Sequence, residues 1–184
     1  MYEGNNPIAL QSRKWLVDTL LTLMKTTPYD KITIRDLCKH ADLSRQTFYN
    51  LFQSKDEILY YRLEQIRTVP LEEISESENI AVRDMLEQFT LAMEQNAGFL
   101  QILVDHGQEG IIAASISRRV SACFQKLMSK QSENRGFPYA VALLSGALFQ
   151  LLMLRFEQGV EISTDDTLEA MIRIFSGDYF GFQK

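Results

Sequence analysis

An all-α fold is predicted: a three-helix helix-turn-helix domain followed by a larger helical domain. Three observations predict it. Apolar residues recur at helical spacing from Trp15 to Phe175. Breakers are few, with four prolines and nine glycines among 184 residues. Hydrophobic residues make up 46% and charged residues 23%, which is enough apolar material for a packed core and argues against disorder throughout.

The first ten residues are read as a loose start. Trp15, Leu16, Thr19, Leu20, Leu23 and Met24 then repeat at the spacing of one helix face, and Thr26, Thr27 and Pro28 end that helix. Ile32 and Ile34 alternate around Thr33, so a short strand competes here. The helical reading prevails because Thr33 stands as a cap before Ile34, Leu37, Cys38 and Ala41. That second helix stops at Ala41-Asp42-Leu43. Ser44 is a cap for a third, Arg45 to Phe52, and Ser54 with Glu57 three residues on forms a capping box for a fourth. The fourth helix is expected to run to about Val69, where Pro70 breaks it.

An acidic stretch at 71–80 separates this region from further helices expected at roughly 80–95, 97–105, 109–131, 138–158 and 165–176. The expected organisation is a helix-turn-helix domain at 10–53, a connecting helix at 54–70, and an all-helical domain at 71–184.

Charge is unevenly spread. The net charge is −5, yet residues 12–55 carry eight Lys/Arg against four Asp/Glu, while residues 70–184 carry nine against sixteen. A basic head on an acidic body suits a nucleic-acid partner for the head, although chance clustering on a solvated surface produces the same pattern. Cys38, Cys123 and the two histidines lie in separate neighbourhoods, so neither a disulfide framework nor a metal site is expected. No nucleophile–base pair or phosphate loop is apparent, so neither a cofactor nor an enzymatic role is expected. The Asp105-His106-Gly107-Gln108-Glu109 run reads as a turn between helices. The start has no basic and apolar segments of a signal peptide, and the apolar run 139–156 is broken by Ser145, Gly146 and Gln150. A soluble cytoplasmic chain is expected.

The third helix carries the functional signal. At about 100° per residue, Phe48, Leu51 and Phe52 share one face. Arg45, Gln46, Thr47, Tyr49 and Asn50 are left on the others. Arginine pairs with guanine O6 and N7, and Gln or Asn with adenine N6 and N7, while hydroxyls suit phosphate.

Residues 32–59, with Thr47-Phe48-Tyr49, Phe52 and Ser54-Lys55-Asp56-Glu57-Ile58-Leu59 in place, resemble the DNA-binding domain of the TetR/AcrR family. With the first helix included, the resemblance extends over roughly residues 10–69. It implies that Arg35, Arg45, Gln46, Tyr49 and Asn50 face bases or the groove. Thr33, Thr47 and Lys55 would contact phosphate, with Ser44 beside them. One departure is Asp42, where the family usually has glycine in the turn. Asp accepts a positive φ better than most residues.

The resemblance further implies a homodimer through the last two long helices, reading a near-palindromic DNA operator. Ala140, Leu144, Ala147, Leu148, Leu151 and Leu154 on one helix, and Leu168, Met171, Ile172 and Phe175 on the other, are the candidate dimer residues. It also implies a small-molecule effector, for which Met85, Phe89, Met93, Phe99, Leu103, Phe124, Met128, Phe149 and Met153 are candidate lining, with ordinary core as the competing assignment. Repression is the commoner mode in the family. The alternative is a helical ligand-binding or scaffold protein that keeps its helix-turn-helix only for packing. Arg45 and Lys55 tied up in ion pairs would favour it.

Overall fold

The computed structural model describes residues 6–66, 78–128 and 137–176, and among these it is helical, with no strand. They fall into two compact units. One comprises residues 6–66 with 98–115, and the other residues 78–97 with 116–128 and 137–176.

In the first unit, α1 (Pro7–Met24) begins earlier than the loose start implied. Asn6 accepts from the Ile8 amide at 3.0 Å and Pro7 takes the first helical position, where no amide bond is lost. Its buried face is Ser12, Arg13, Leu16, Val17, Leu20 and Met24. Trp15, expected on that face, is 49% exposed, because the i, i+4 contacts run through Leu16 and Leu20 instead.

A single 3₁₀ turn, Tyr29–Lys31, leads to α2 (Ile34–His40). The competing strand does not form. Thr33 closes a full capping box, its hydroxyl accepting from the Asp36 amide while the Asp36 carboxylate accepts from the Thr33 amide. After α2 the chain turns at Asp42, φ 53°, the one non-glycine residue with positive φ among those described. The Leu43 amide reaches back to the Cys38 carbonyl at 2.9 Å, which is the Schellman closure of a helix end.

Ser44 caps α3 (Arg45–Leu51), and Ser54 caps α4 (Lys55–Glu64). The second box forms one residue out of register. Ser54 accepts from the Glu57 amide, but the Glu57 carboxylate takes the Gln53 amide at 2.8 Å rather than that of Ser54. α4 also ends at Glu64, short of the expected Val69, and residues 67–77 lie outside those described. Leu16, Leu20, Leu37, Phe48, Ile58 and Leu59 have no exposed surface, and α1 packs on α2 and α4, and α2 on α3. Each such side chain stabilises the unit by about 1.5–3 kcal/mol relative to exposure.

The same unit includes α6 (Ala97–Asp105) from Gly98 onward, and the start of α7 (Glu109–Met128). Phe99, Leu100, Leu103, Ile111 and Ile112 are buried there. Between the two helices, Gly107 at φ 68° lets the Gln108 amide return to the Leu103 carbonyl at 2.9 Å, a second Schellman turn.

The second unit holds α5 (Glu78–Gln95), the rest of α7, α8 (Phe137–Gln158) and α9 (Thr164–Ser176). These bounds follow the predicted spacing closely. The expected end near 131 falls outside the described residues. α5 packs on α9, where Arg83 pairs with Asp165 at 2.6 Å. Leu86, Met93, Val120, Cys123, Leu148, Leu152 and Met153 are buried. By length and composition alone Pro138–Gln158 is apolar enough to cross a membrane, with mean hydropathy 1.6, so Ser145, Gly146 and Gln150 do not hold it below that level as expected.

Candidate nucleic-acid interface

The DNA-facing candidate is α3, and its orientation is set from inside. Phe48 is fully buried, Leu51 and Phe52 nearly so, and these three anchor one face. Phe52 lies against Tyr61 of α4, with ring centroids 5.6 Å apart. Arg13 of α1 stacks over Tyr61 at 3.8 Å and over Phe52 at 5.1 Å. A buried guanidinium held over two aromatic faces braces α3 from behind.

Opposite that anchored face, Arg45, Gln46, Tyr49 and Asn50 are exposed. Arg35 is exposed on α2. Arg35, Arg45, Gln46 and Asn50 make no side-chain hydrogen bond or ion pair among the described residues, so their donors and acceptors remain available. The Tyr49 ring meets Phe48 edge-on at 5.3 Å yet stays 57% exposed, so its packing and its outward surface coexist.

The three residues assigned to phosphate, and Ser44 beside them, differ from these. Thr33 is committed to its capping box, and its hydroxyl donates to Asp36. That pairing holds the Asp36 carboxyl below the usual carboxylate range. Ser44 accepts from the Thr47 amide at 2.9 Å, and its hydroxyl lies 2.8 Å from that of Thr47. These hydroxyls shape the helix starts, and each still has lone-pair or donor capacity outward.

Lys55 is the most heavily engaged. Its ammonium donates to the carbonyls of Tyr29 at 2.7 Å and Ile32 at 2.6 Å, and sits 4.2 Å from the Tyr29 ring. Burial pushes its pKa down, against the pull of Asp56 and Asp30. Two of its three N–H donors are therefore spent on the loop that leads into α2. The residues 12–55 excess of positive charge is correspondingly less superficial than the sequence suggests. Arg13 is buried and Lys55 half-buried, whereas Lys14, Lys25, Lys31, Arg35, Lys39 and Arg45 are exposed.

Tyr29 and Arg13 are supporting residues that sequence reasoning did not single out. Tyr29 is buried and its hydroxyl donates to Asp56; burial first, and then that bond, raise its pKa well above the usual tyrosine range. Arg13 reads as surface charge in the sequence, and its place on the buried i, i+4 face with Leu16 and Leu20 was the available signal. His40 is exposed, with Nδ1 2.8 Å from the Asp36 carbonyl. Among the described residues no group of three His, Cys, Asp or Glu side chains is placed to hold a metal.

The effector candidates do not gather in one unit. Phe99 and Leu103 are buried in the first, while Met93 and Met153 are buried, and Phe89, Phe124 and Phe149 half-buried, in the second. The side chains of Met85 and Met128 lie outside those described. Of the dimer candidates, Leu148 is 3% exposed and belongs to the interior of the second unit. Ala147 and Ile172 are exposed, Ala140, Leu144, Leu151, Leu154, Leu168 and Met171 half-buried, and Phe175 lies outside the described side chains. Among the described side chains the large exposed apolar residues of α8 are Tyr139 at 73% and Leu143 at 67%, one position before Ala140 and Leu144.

Residues 16–60 match the family of bacterial regulatory proteins described as the tetR family. A 53-residue stretch is 34% identical to the HTH-type dhaKLM operon transcriptional activator DhaS of Lactococcus lactis, and covers 29% of this chain and 28% of that protein. Lin0861 from Listeria innocua superimposes with a TM-score of 0.70 over 96% of this chain and 95% of its own, at 16% identity. A linker-substituted mutant of HlyIIR gives a TM-score of 0.50 over 88% of this chain and 95% of its own, at 13% identity. At those identities the likeness is one of fold.

Proposed function

We propose, from the match of residues 16–60 to the tetR family of bacterial regulatory proteins, that the chain is a cytoplasmic transcriptional repressor binding a near-palindromic operator as a homodimer. The observation that carries the reading is the exposed, uncommitted set of Arg45, Gln46, Tyr49 and Asn50 on a helix pinned from behind by Phe48, Leu51 and Phe52. Side chains of this chemistry on a major-groove helix discriminate bases, each good bidentate pair being worth about 1–3 kcal/mol. Thr33, Ser44 and Thr47, at the helix starts beside that face, together with the remaining Lys55 donor, are proposed to fix register on phosphate.

A single seven-residue helix reads too few base pairs for selectivity, which is the reason for a two-fold dimer with half-sites about one helical turn apart or a multiple of that. Tyr139 and Leu143 on α8, with Ile172 and Ile174 on α9, supply exposed apolar surface for that pairing. A second copy, rather than lipid, is thus proposed to cover α8. The effector rests on the family resemblance alone. So does repression, because DhaS, an activator, is matched only over a short stretch that does not decide the sign of regulation.

Ion pairs at Arg45 and Lys55 would favour the scaffold alternative. Arg45 makes none among the described residues, and Lys55 is held by carbonyls, not by a carboxylate.

The test is selection of bound duplexes from a random pool, followed by anisotropy titration of the winner at several salt concentrations. An enriched near-palindrome with a steep salt slope is expected. Arg45→Ala should relax base preference, whereas Thr47→Ala should weaken binding about equally on every sequence. No enrichment together with negligible salt dependence would refute the reading in favour of the scaffold.

A further inference from the structure

His106 lies outside the DNA-facing surface, yet it is bonded to the loop that supports that surface. The Tyr29 amide donates to His106 Nδ1 at 3.1 Å, a part-buried contact joining positions 77 residues apart. A backbone amide is only a donor, so Nδ1 must present its lone pair and the ring proton must sit on Nε2. An imidazolium carries a proton on both nitrogens and cannot make this bond. It would leave the Tyr29 amide facing a donor.

Both sides of the contact are firmly held. His106 ends α6 inside the Schellman turn, with Gly107 at φ 68° and the Gln108 side chain donating to the His106 carbonyl at 3.1 Å. Tyr29 is the node of the opposite side. Its carbonyl receives Lys55, its hydroxyl donates to Asp56 at the start of α4, and three residues later Ile32 shares the same ammonium just before the Thr33 cap of α2. The Tyr29–His106 bond thus joins the α6–α7 turn to the entries of α2 and α4, the two helices that flank α3 in the chain.

We propose that His106 is a positioning residue for the DNA-reading helices and a proton-sensitive latch: unprotonated at Nδ1 it holds the Tyr29 loop, and protonation of the ring releases the loop and weakens operator binding. This rests on the DNA-binding reading above. The charged groups on the two sides are Asp30, next to Tyr29 in the chain, Lys55 and Asp56, bonded to Tyr29, and Asp105 and Glu109 on the histidine's own turn. His40, the second of the two histidines, behaves oppositely. Its Nδ1 faces the Asp36 carbonyl, which can only accept, so that bond persists in either charge state.

The sign of the effect separates the latch from ordinary electrostatics. Adding positive charge strengthens attraction to phosphate, so acid alone tightens binding. The latch predicts the reverse. The test measures the affinity of the full chain for its selected duplex between pH 8 and pH 5.5, at fixed salt, for the wild type and for His106→Asn. Asn Oδ1 replaces the Nδ1 acceptor and does not titrate. Wild-type affinity is expected to fall about three- to tenfold across that range, as loss of one part-buried hydrogen bond allows, while His106→Asn holds steady or tightens. Equal losses in both proteins, or no loss in the wild type, overturn the proposal. In parallel, the Tyr29 amide is followed by proton–nitrogen NMR over the same range without DNA. A shift that titrates in the wild type and is absent in His106→Asn supports the latch even if no duplex is bound at any pH, an outcome that would count against the DNA reading alone. A Tyr29 amide indifferent to pH overturns it.

Discussion

Replacing Lys55 with methionine separates two roles that this residue can combine. Methionine keeps most of the aliphatic stem and removes the ammonium, so packing changes little while the hydrogen bonds to the Tyr29 and Ile32 carbonyls, 2.7 and 2.6 Å long, are lost. Hydrogen bonds to a charged group each contribute about 1.5–3 kcal/mol. Two offsets reduce the sum. Burial already disfavours the Lys55 charge, which its lowered pKa records, and that cost disappears in the variant. The Tyr29 carbonyl also keeps the Ile32 amide at 3.1 Å, so it is not left without a donor. A net destabilisation of about 2 kcal/mol is expected, which for a chain of this size lowers Tm by roughly 4–8 °C. The assay is thermal unfolding by circular dichroism, with DNA affinity measured well below the transition at several salt concentrations. If the third N–H also meets phosphate, the salt slope drops by about one as well. A change in stability below about 0.5 kcal/mol would refute the staple, because a surface lysine contributes no more than that.

Two further perturbations follow from the same unit. At Asp42, φ 53°, stability should rank glycine at least equal to aspartate and both above valine, with Asp42→Val costing about 1–2 kcal/mol in denaturant titration; valine matching aspartate would show the turn to be unstrained. Asp36 has its pKa lowered first by the Thr33 hydroxyl, so its capping contribution is present above the ordinary carboxylate pKa of about 3.9 and is lost as pH falls through the lower folded value. Below about pH 4 the wild type should lose stability more steeply than Asp36→Asn, and parallel acid profiles would show that the box contributes nothing through charge.

Much of this molecule follows from local chemistry. The helix starts at Thr33, Ser44 and Ser54 depend on a hydroxyl reaching an amide three residues on, and the inward set Phe48, Leu51 and Phe52 depends only on helical periodicity. The exposed face of α3 is the complement of that set, so it too was legible. The positive φ at Asp42 followed from a short helix that had to turn before Ser44.

Long-range pairing was not legible in that way. Nothing near Lys55 in the chain indicates that its ammonium turns inward to carbonyls 23 and 26 residues away, and nothing near Arg13 indicates a stack on Tyr61. Long cationic side chains bury their stems or extend with equal ease, and the choice depends on which carbonyls or rings the packed helices bring within reach. Which side of α8 stays outward, with Tyr139 and Leu143 exposed, was likewise decided by packing, because a helix apolar on every side carries no internal mark of which face the rest of the chain will cover. The gathering of residues 98–115 with the amino-terminal helices, and with it the Tyr29–His106 bond, is of the same kind. Sequence by itself determined the helices, their caps and the exposed side chains of α3, since each depends on neighbours within about one turn; tertiary structure alone decided which charges are spent inside, because that depends on distances between helices that no local spacing encodes.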